Sequence, residues 1–128
     1  MRRTAMVLAM VALLTVLFAV AALAVNKQCT GYPCFGGDDD DTLFERGGNG
    51  AGDRIYSKPG NDVVRVNAFT SDTDIIFAGK GRDRLYADDG DKRDDLYGER
   101  GFDRCYVDAR EEVDNSCNAL WVNGERVR

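Results

Sequence analysis

The chain has 128 residues, enough for one domain at most, and carries 22 acidic against 17 basic side chains for a net charge of −5. That balance argues against nucleic acid or an anionic lipid surface as partner and leaves cations as the natural ones. The sequence holds no histidine, Ser57, Ser71 and Ser116 lack triad partners, and no two carboxylates stand apart as an acid/base pair, so the chain is not expected to be an enzyme.

Residues 1–24 read as a signal peptide. Arg2 and Arg3 form a positive start, residues 5–23 are apolar apart from Thr15, and Ala22-Leu23-Ala24 supplies the small-x-small cleavage pattern. An uncleaved membrane anchor is the other reading, because the run approaches the roughly 20 residues that span a bilayer. Cleavage after Ala24 removes Arg2 and Arg3 and leaves 15 basic against 22 acidic side chains, a net −7. Seventeen of those acids are Asp; solubility does not require that bias, whereas Asp tolerates turns and is a hard oxygen ligand.

Residues 25–35 form an N-terminal cap with Cys29 and Cys34; Cys105 and Cys117 stand at the other end. An exported chain meets an oxidising compartment, so disulfides are expected. Four cysteines allow three pairings, of which the local ones, Cys29 with Cys34 and Cys105 with Cys117, are favoured. The absence of a CxxC pair and of histidine argues against zinc.

Between the cysteine clusters lies a repeat, residues 36–108. Asp followed two positions later by a core residue recurs at Asp41, Asp53, Asp62, Asp74, Asp83, Asp94 and Asp103, with spacings of 12, 9, 12, 9, 11 and 9. Each pair of intervals sums to 20 or 21 residues, the length of a flattened coil with two short strands and two turns. Asp41, Asp62, Asp83 and Asp103 should therefore stack along an edge of short turns, and Asp53, Asp74 and Asp94 along an edge of longer ones. The strands are too short to survive alone, and stack on neighbouring coils at about 4.8 Å. Leu43, Ile55, Val64, Ile76, Leu85, Leu96 and Cys105 should point inward as the whole of a thin core. One residue further on, Tyr56, Phe77 and Tyr97 should form a column on one face, and Phe44, Arg65, Tyr86 and Tyr106 one on the other. No 3.6-residue period is present after residue 24, so almost no helix is expected there. Residues 109–128 form a C-terminal cap, with Trp121 over the last coil and an Asn123-Gly124 hairpin turn. The fold class is all-β: a short parallel β-roll, or β-solenoid, of about three coils with stapled ends.

The repeat resembles the haemolysin-type RTX nonapeptide, G-G-x-G-x-D-x-U-x, which winds into a calcium-binding β-roll. Residues 78–86 match best, with Gly79, Gly81, Asp83 and Leu85; residues 98–106 follow, with Gly98, Gly101 and Asp103; residues 57–65 keep Gly60 and Asp62. Ser57, Lys58, Ala78 and Glu99 stand where the family has glycine, and the N-terminal signal is unlike that of the large exported toxins, so the chain looks like a small secreted, repeat-only form. The resemblance implies Ca2+ as cofactor, held between coils by Asp41, Asp62, Asp83 and Asp103 with carbonyls of Gly60, Gly79, Gly81 and Gly101. Asp53, Asp74 and Asp94 are second candidates on the long edge, helped by Asp72, Asp89 or Asp91. It also implies folding linked to calcium, since stacked carboxylates repel without an ion.

Other readings stand beside this one. The Asp columns are also ordinary turn chemistry, and Arg54, Arg82, Arg84 and Arg104 lie close enough in sequence to neutralise them. A calcium-independent adhesion solenoid would instead offer its aromatic face to a cell-surface glycan or protein. An ice- or surface-binding role fits poorly, because the column Thr42, Val63, Arg84 and Arg104 does not repeat threonine. The expected location is extracellular.

Overall fold

Three-residue runs such as Arg54–Tyr56 hold no strand in isolation, so their structure comes from neighbours a whole coil away. The computed structural model describes residues 24–29, 32–45, 52–68 and 71–128. The signal segment, Ala24 excepted, and the glycine-rich stretch 47–50 lie outside these. In chain order the described strands are β1 (Asn26–Gln28), β2 (Cys34–Phe35), β3 (Thr42–Phe44), β4 (Arg54–Tyr56), β5 (Val63–Arg65), β6 (Ile75–Phe77), β7 (Lys80–Gly81), β8 (Arg84–Ala87), β9 (Asp95–Tyr97), β10 (Arg100–Gly101), β11 (Asp103–Val107), β12 (Cys117–Val122) and β13 (Glu125–Arg126). A 3-10 turn, Arg110–Glu112, interrupts them.

The strands form two walls of an all-β parallel solenoid. One wall has the order β1-β3-β5-β8-β11-β12-β13, and the other β2-β4-β6-β9. All pairs are parallel except the terminal hairpin of β12 and β13. Register follows the 20–21-residue period: Leu43, Val64, Leu85 and Cys105 lie in line on the first wall, and Ile55, Ile76 and Leu96 on the second. Three coils run from β3 to β11. The caps extend the stack as well as covering it, since β1, β2 and β12 each add a rung. The paired two-residue strands β7 and β10 belong to the short turns.

The seven residues two after each Asp are all 0–1 % exposed, but they are not the whole core. Val66, Ala78, Ala87 and Val107, four after an Asp, form a second buried row, together with Ser57 and Glu45. The repeat Asp itself forms a third, between 0 and 6 % exposed. The cause is the strand period of two: if one residue points inward, so do those two before and two after it.

Glycine is required where coils touch in the short turns. A Cβ on Gly81 would lie 1.6 Å from the Gly60 carbonyl oxygen, and one on Gly101 as close to that of Gly81. Lys58 and Glu99, aligned with Gly79, keep its left-handed backbone at φ 74° and 62°.

Both ends are stapled by Cys29–Cys34 and Cys105–Cys117, five and twelve residues apart. Asn123 and Gly124 take φ 50° and 80° in the tight turn of the hairpin. The aromatic columns form as the period requires. Phe35, Tyr56, Phe77 and Tyr97 stack at 4.8–5.3 Å, and Tyr86, Tyr106 and Trp121 at 4.5–4.7 Å, with Arg65 over Tyr86.

Candidate metal centres

The inward Asp carboxylates tie successive coils together. On the short edge the amides of Asp41, Asp62 and Asp83 each donate to Oδ1 of the Asp one coil later, at 2.7, 2.7 and 3.0 Å. On the long edge Asp53 and Asp74 donate in the same way to Asp74 and Asp94, at 2.5 and 2.9 Å. Both ladders end on residues outside the repeat. Asn118 Oδ1 accepts the Asp103 amide at 2.8 Å, and the Glu112 carboxylate accepts that of Asp94. Sequence reasoning missed both, because neither continues the Asp-x-apolar pattern.

One oxygen of each carboxylate is thus spent on a backbone amide. The other, Oδ2, is buried without a hydrogen-bond partner in Asp74 and Asp94, whereas Ser57 acts on Asp62, and Asp83 and Asp103 act on each other, through their side chains. Asp41 differs, as its carboxylate accepts the amides of Val25 and Gly37. Burial raises these groups far above the usual carboxylate range, against the pull of the donated amides. Asp62 is pushed up to about 6, Asp74 and Asp83 to about 7, and Asp94 to about 8. Neighbouring negative charge adds to this: Asp72 and Glu45 act on Asp74, and Asp74, Asp89 and Asp91 on Asp94. Asp103 is raised chiefly by burial as well.

No arginine is among the leading influences on Asp62, Asp74, Asp83, Asp94 or Asp103. Arg54 lies over the Tyr32 ring instead, 5.7 Å from its centroid. Arg84 and Arg104 do stack in register, but their side chains are exposed on the outer face. The strand period again decides this: neighbours of an inward Asp point outward.

Two groups bring three carboxylates together, with one oxygen from each within 4.8 Å of the others: Glu45 with Asp72 and Asp74, and Asp89 with Asp91 and Asp94. Both lie on the long edge, because the longer turns supply the extra acids. Glu45 sits four after Asp41, at an inward position, and accepts the Ala68 amide. In the second group Asp89 and Asp91 cap their own turn, accepting the amides of Asp91 and Arg93 at 3.0 and 2.9 Å. Each group ends on a buried ladder carboxylate with a free oxygen, Asp74 or Asp94, at 0 and 2 % exposure. Three hard oxygens at this spacing could hold a metal ion.

The short-edge candidates are arranged differently. Asp41, Asp62, Asp83 and Asp103 form a single file and join no three-carboxylate group among the described residues. Gly60 donates its amide to Lys80, while the Gly79 and Gly81 carbonyls accept the amides of Arg100 and Phe102 at 2.9 and 3.1 Å. Gly101 pairs with Gly81 in the same ladder. Coil-to-coil hydrogen bonding thus already uses the Gly79 and Gly81 carbonyls, two of the four that the resemblance assigns to an ion. Asp53 lies on the long edge but in neither three-carboxylate group.

Compared with protein-family models, curated proteins and solved structures, the chain matches none.

Proposed function

We propose that this chain is an extracellular calcium-binding β-roll module of the haemolysin-type repeat kind, without enzymatic activity, whose folded state the ion stabilises. The observation that carries the reading is the pair of long-edge groups in which Asp74 and Asp94, each with a buried and unpartnered Oδ2, come together with two further carboxylates. Leaving a buried carboxylate oxygen unpaired is costly, and a dication answers that cost where no donor does. Calcium accepts varied sets of carboxylates completed by carbonyls and water, whereas magnesium demands near-octahedral geometry and keeps its water, so calcium is the ion we assign. The two disulfides fit an oxidising setting.

Far-UV circular dichroism and thermal melting of the oxidised protein, stripped with chelator and then titrated with calcium or magnesium, test this reading. Calcium should raise the melting temperature or drive a coil-to-β transition near the roughly 10⁻⁴–10⁻³ M of extracellular calcium modules, and magnesium should not. A β spectrum and melting temperature indifferent to calcium would leave a solenoid held by disulfides and protonated Asp. The aromatic columns lend little to an adhesive alternative. Their ring faces are stacked on one another, so few are open to a sugar.

A further inference from the structure

The net negative charge conceals a basic edge. Along the apex of the short turns the aligned residues run Asp40, Asn61, Arg82 and Phe102: Asn61 donates its amide to Asp40, Arg82 donates its own to Asn61, and Gly101 pairs with Gly81. Beside this column Arg84 and Arg104 lie in register on adjacent strands, and Lys80 with Arg100 two residues before Arg82 and Phe102. All five basic side chains are exposed. Several other cations are engaged: Arg54, Arg65 and Arg126 lie over aromatic rings, and Arg93 donates to the Ser71 carbonyl. Like charges directly opposite on neighbouring strands destabilise a sheet, and no ion pair within the described residues relieves Arg84 and Arg104. Arg82, Arg84, Arg104 and Phe102 line a cleft of about 330 Å³. Phe102 is 47 % exposed, and Asp83, the acid in the lining, is 1 % exposed.

We infer that this cleft binds an acidic saccharide, a sugar unit carrying a carboxylate or sulfate group. The guanidinium forks of Arg84 and Arg104 take the anionic oxygens, and the open Phe102 ring takes the C–H face of the sugar. The change of sign along the edge selects this ligand over a nucleic acid. Asp38, Asp39 and Asp40 lie two coils from Arg82, about 10 Å at the coil spacing. A polyanion with one charge per roughly 1.7 Å would run into them, whereas one or two charged sugar units fit within the basic stretch. The inference does not rest on calcium binding, which uses the opposite edge.

Calorimetric titration of the full disulfide-bonded protein with trigalacturonate, a sulfated chondroitin disaccharide, neutral galactotriose and an oligothymidylate tests it, in calcium and in chelator. One or both acidic saccharides should bind saturably, more weakly as salt rises, and galactotriose should not bind. Arg84→Ser and Arg104→Ser should each cost about tenfold in affinity, the effect of losing a charge-assisted hydrogen bond. Phe102→Ala should weaken the saccharide, and Lys92→Ser, on the long edge, should leave it unchanged. Arg84→Lys, which keeps the charge, should bind between parent and Ser variant and covers the case in which Arg84→Ser fails to fold. Asp94→Asn should bind like the parent, so failure of the calcium reading is told apart from failure of this one. No saturable binding of either acidic saccharide, parent-like affinity in a folded Arg84→Ser, Arg104→Ser double variant, or tighter binding of the oligothymidylate would overturn the inference.

Discussion

Asp94 holds the Asp74 amide on Oδ1 at 2.9 Å, keeps its Oδ2 buried and unpartnered, and lies in one group with the carboxylates of Asp89 and Asp91. One side chain thus serves two purposes that amide substitution separates. Asp94→Asn keeps the Oδ1 acceptor, as Asn118 does at the end of the short-edge ladder, and should fold while losing at least about tenfold in calcium affinity, since a charged ligand is lost. Asp94→Leu strands the Asp74 amide and should cost about 1–3 kcal/mol of stability. Calcium titration and chemical denaturation of the two variants check this.

Asp83→Asn is the matched control on the short edge. It keeps the acceptor for the Asp62 amide but lies outside both three-carboxylate groups. If calcium resides on the long edge, its calcium affinity should stay within about threefold of the parent, under 1 kcal/mol. A loss matching that of Asp94→Asn would move the ion to the short edge.

The raised carboxyls set the pH dependence of the metal-free protein. Their folded values, from about 6 for Asp62 to about 8 for Asp94, exceed the ordinary carboxyl value, so the folded state binds more protons than the unfolded one. The stability they contribute is full below about pH 4 and is lost as pH rises through 6 to 8. Chelated protein should therefore melt higher at pH 5 than at pH 8. Calcium should flatten or reverse that slope and release protons on binding at pH 7, which calorimetry in buffers of different ionisation enthalpy measures.

Glu99 holds a left-handed backbone at φ 62° where Gly79 stands one coil earlier. Glu99→Gly should stabilise the fold by about 1 kcal/mol, the cost of that conformation in a residue with Cβ. Gly81→Ala should destabilise by more, because its Cβ meets the Gly60 carbonyl oxygen of the preceding coil. Denaturation midpoints of the two variants should move in opposite directions.

Reducing the protein should loosen the ends before the middle. Cys105–Cys117 ties β11 to β12 across a twelve-residue separation, and Cys105 occupies a core position at 0 % exposure. Its loss should cost about 2–5 kcal/mol, with amide exchange rising first in residues 109–128.

Most of the architecture was legible because the spacing of Asp-x-apolar units fixes coil length, and coil length fixes register: Leu43 above Val64 above Leu85 requires nothing else. The aromatic columns followed from the same count, and the hairpin from the Asn123-Gly124 turn. The direction of the Asp side chains was legible too, but only by carrying the two-residue period one step back from Leu85 to Asp83. Read as edge ligands, the Asp residues hid their principal work, which is to accept backbone amides. Most members of the candidate metal groups were legible as well, Asp74 beside Asp72 and Asp94 beside Asp89 and Asp91, but Glu45 was not, because it comes from the preceding coil and meets Asp72 and Asp74 only once the coil is closed. The basic cleft was hidden by averaging, since a net charge cannot show that Arg82, Arg84 and Arg104 come together.

The amide ladders also have a direction. Each coil offers its Asp amide to the coil that follows: Asp41 to Asp62, Asp62 to Asp83, Asp83 to Asp103 and finally to Asn118. A stack built from the amino end therefore always carries an unanswered donor at its growing rim, and only the arrival of Asn118 and Glu112 ends the series. The last twenty residues act as a terminator. A chain cut after residue 108 would keep every repeat and still be unfinished, with an adhesive rim able to recruit the next copy of itself.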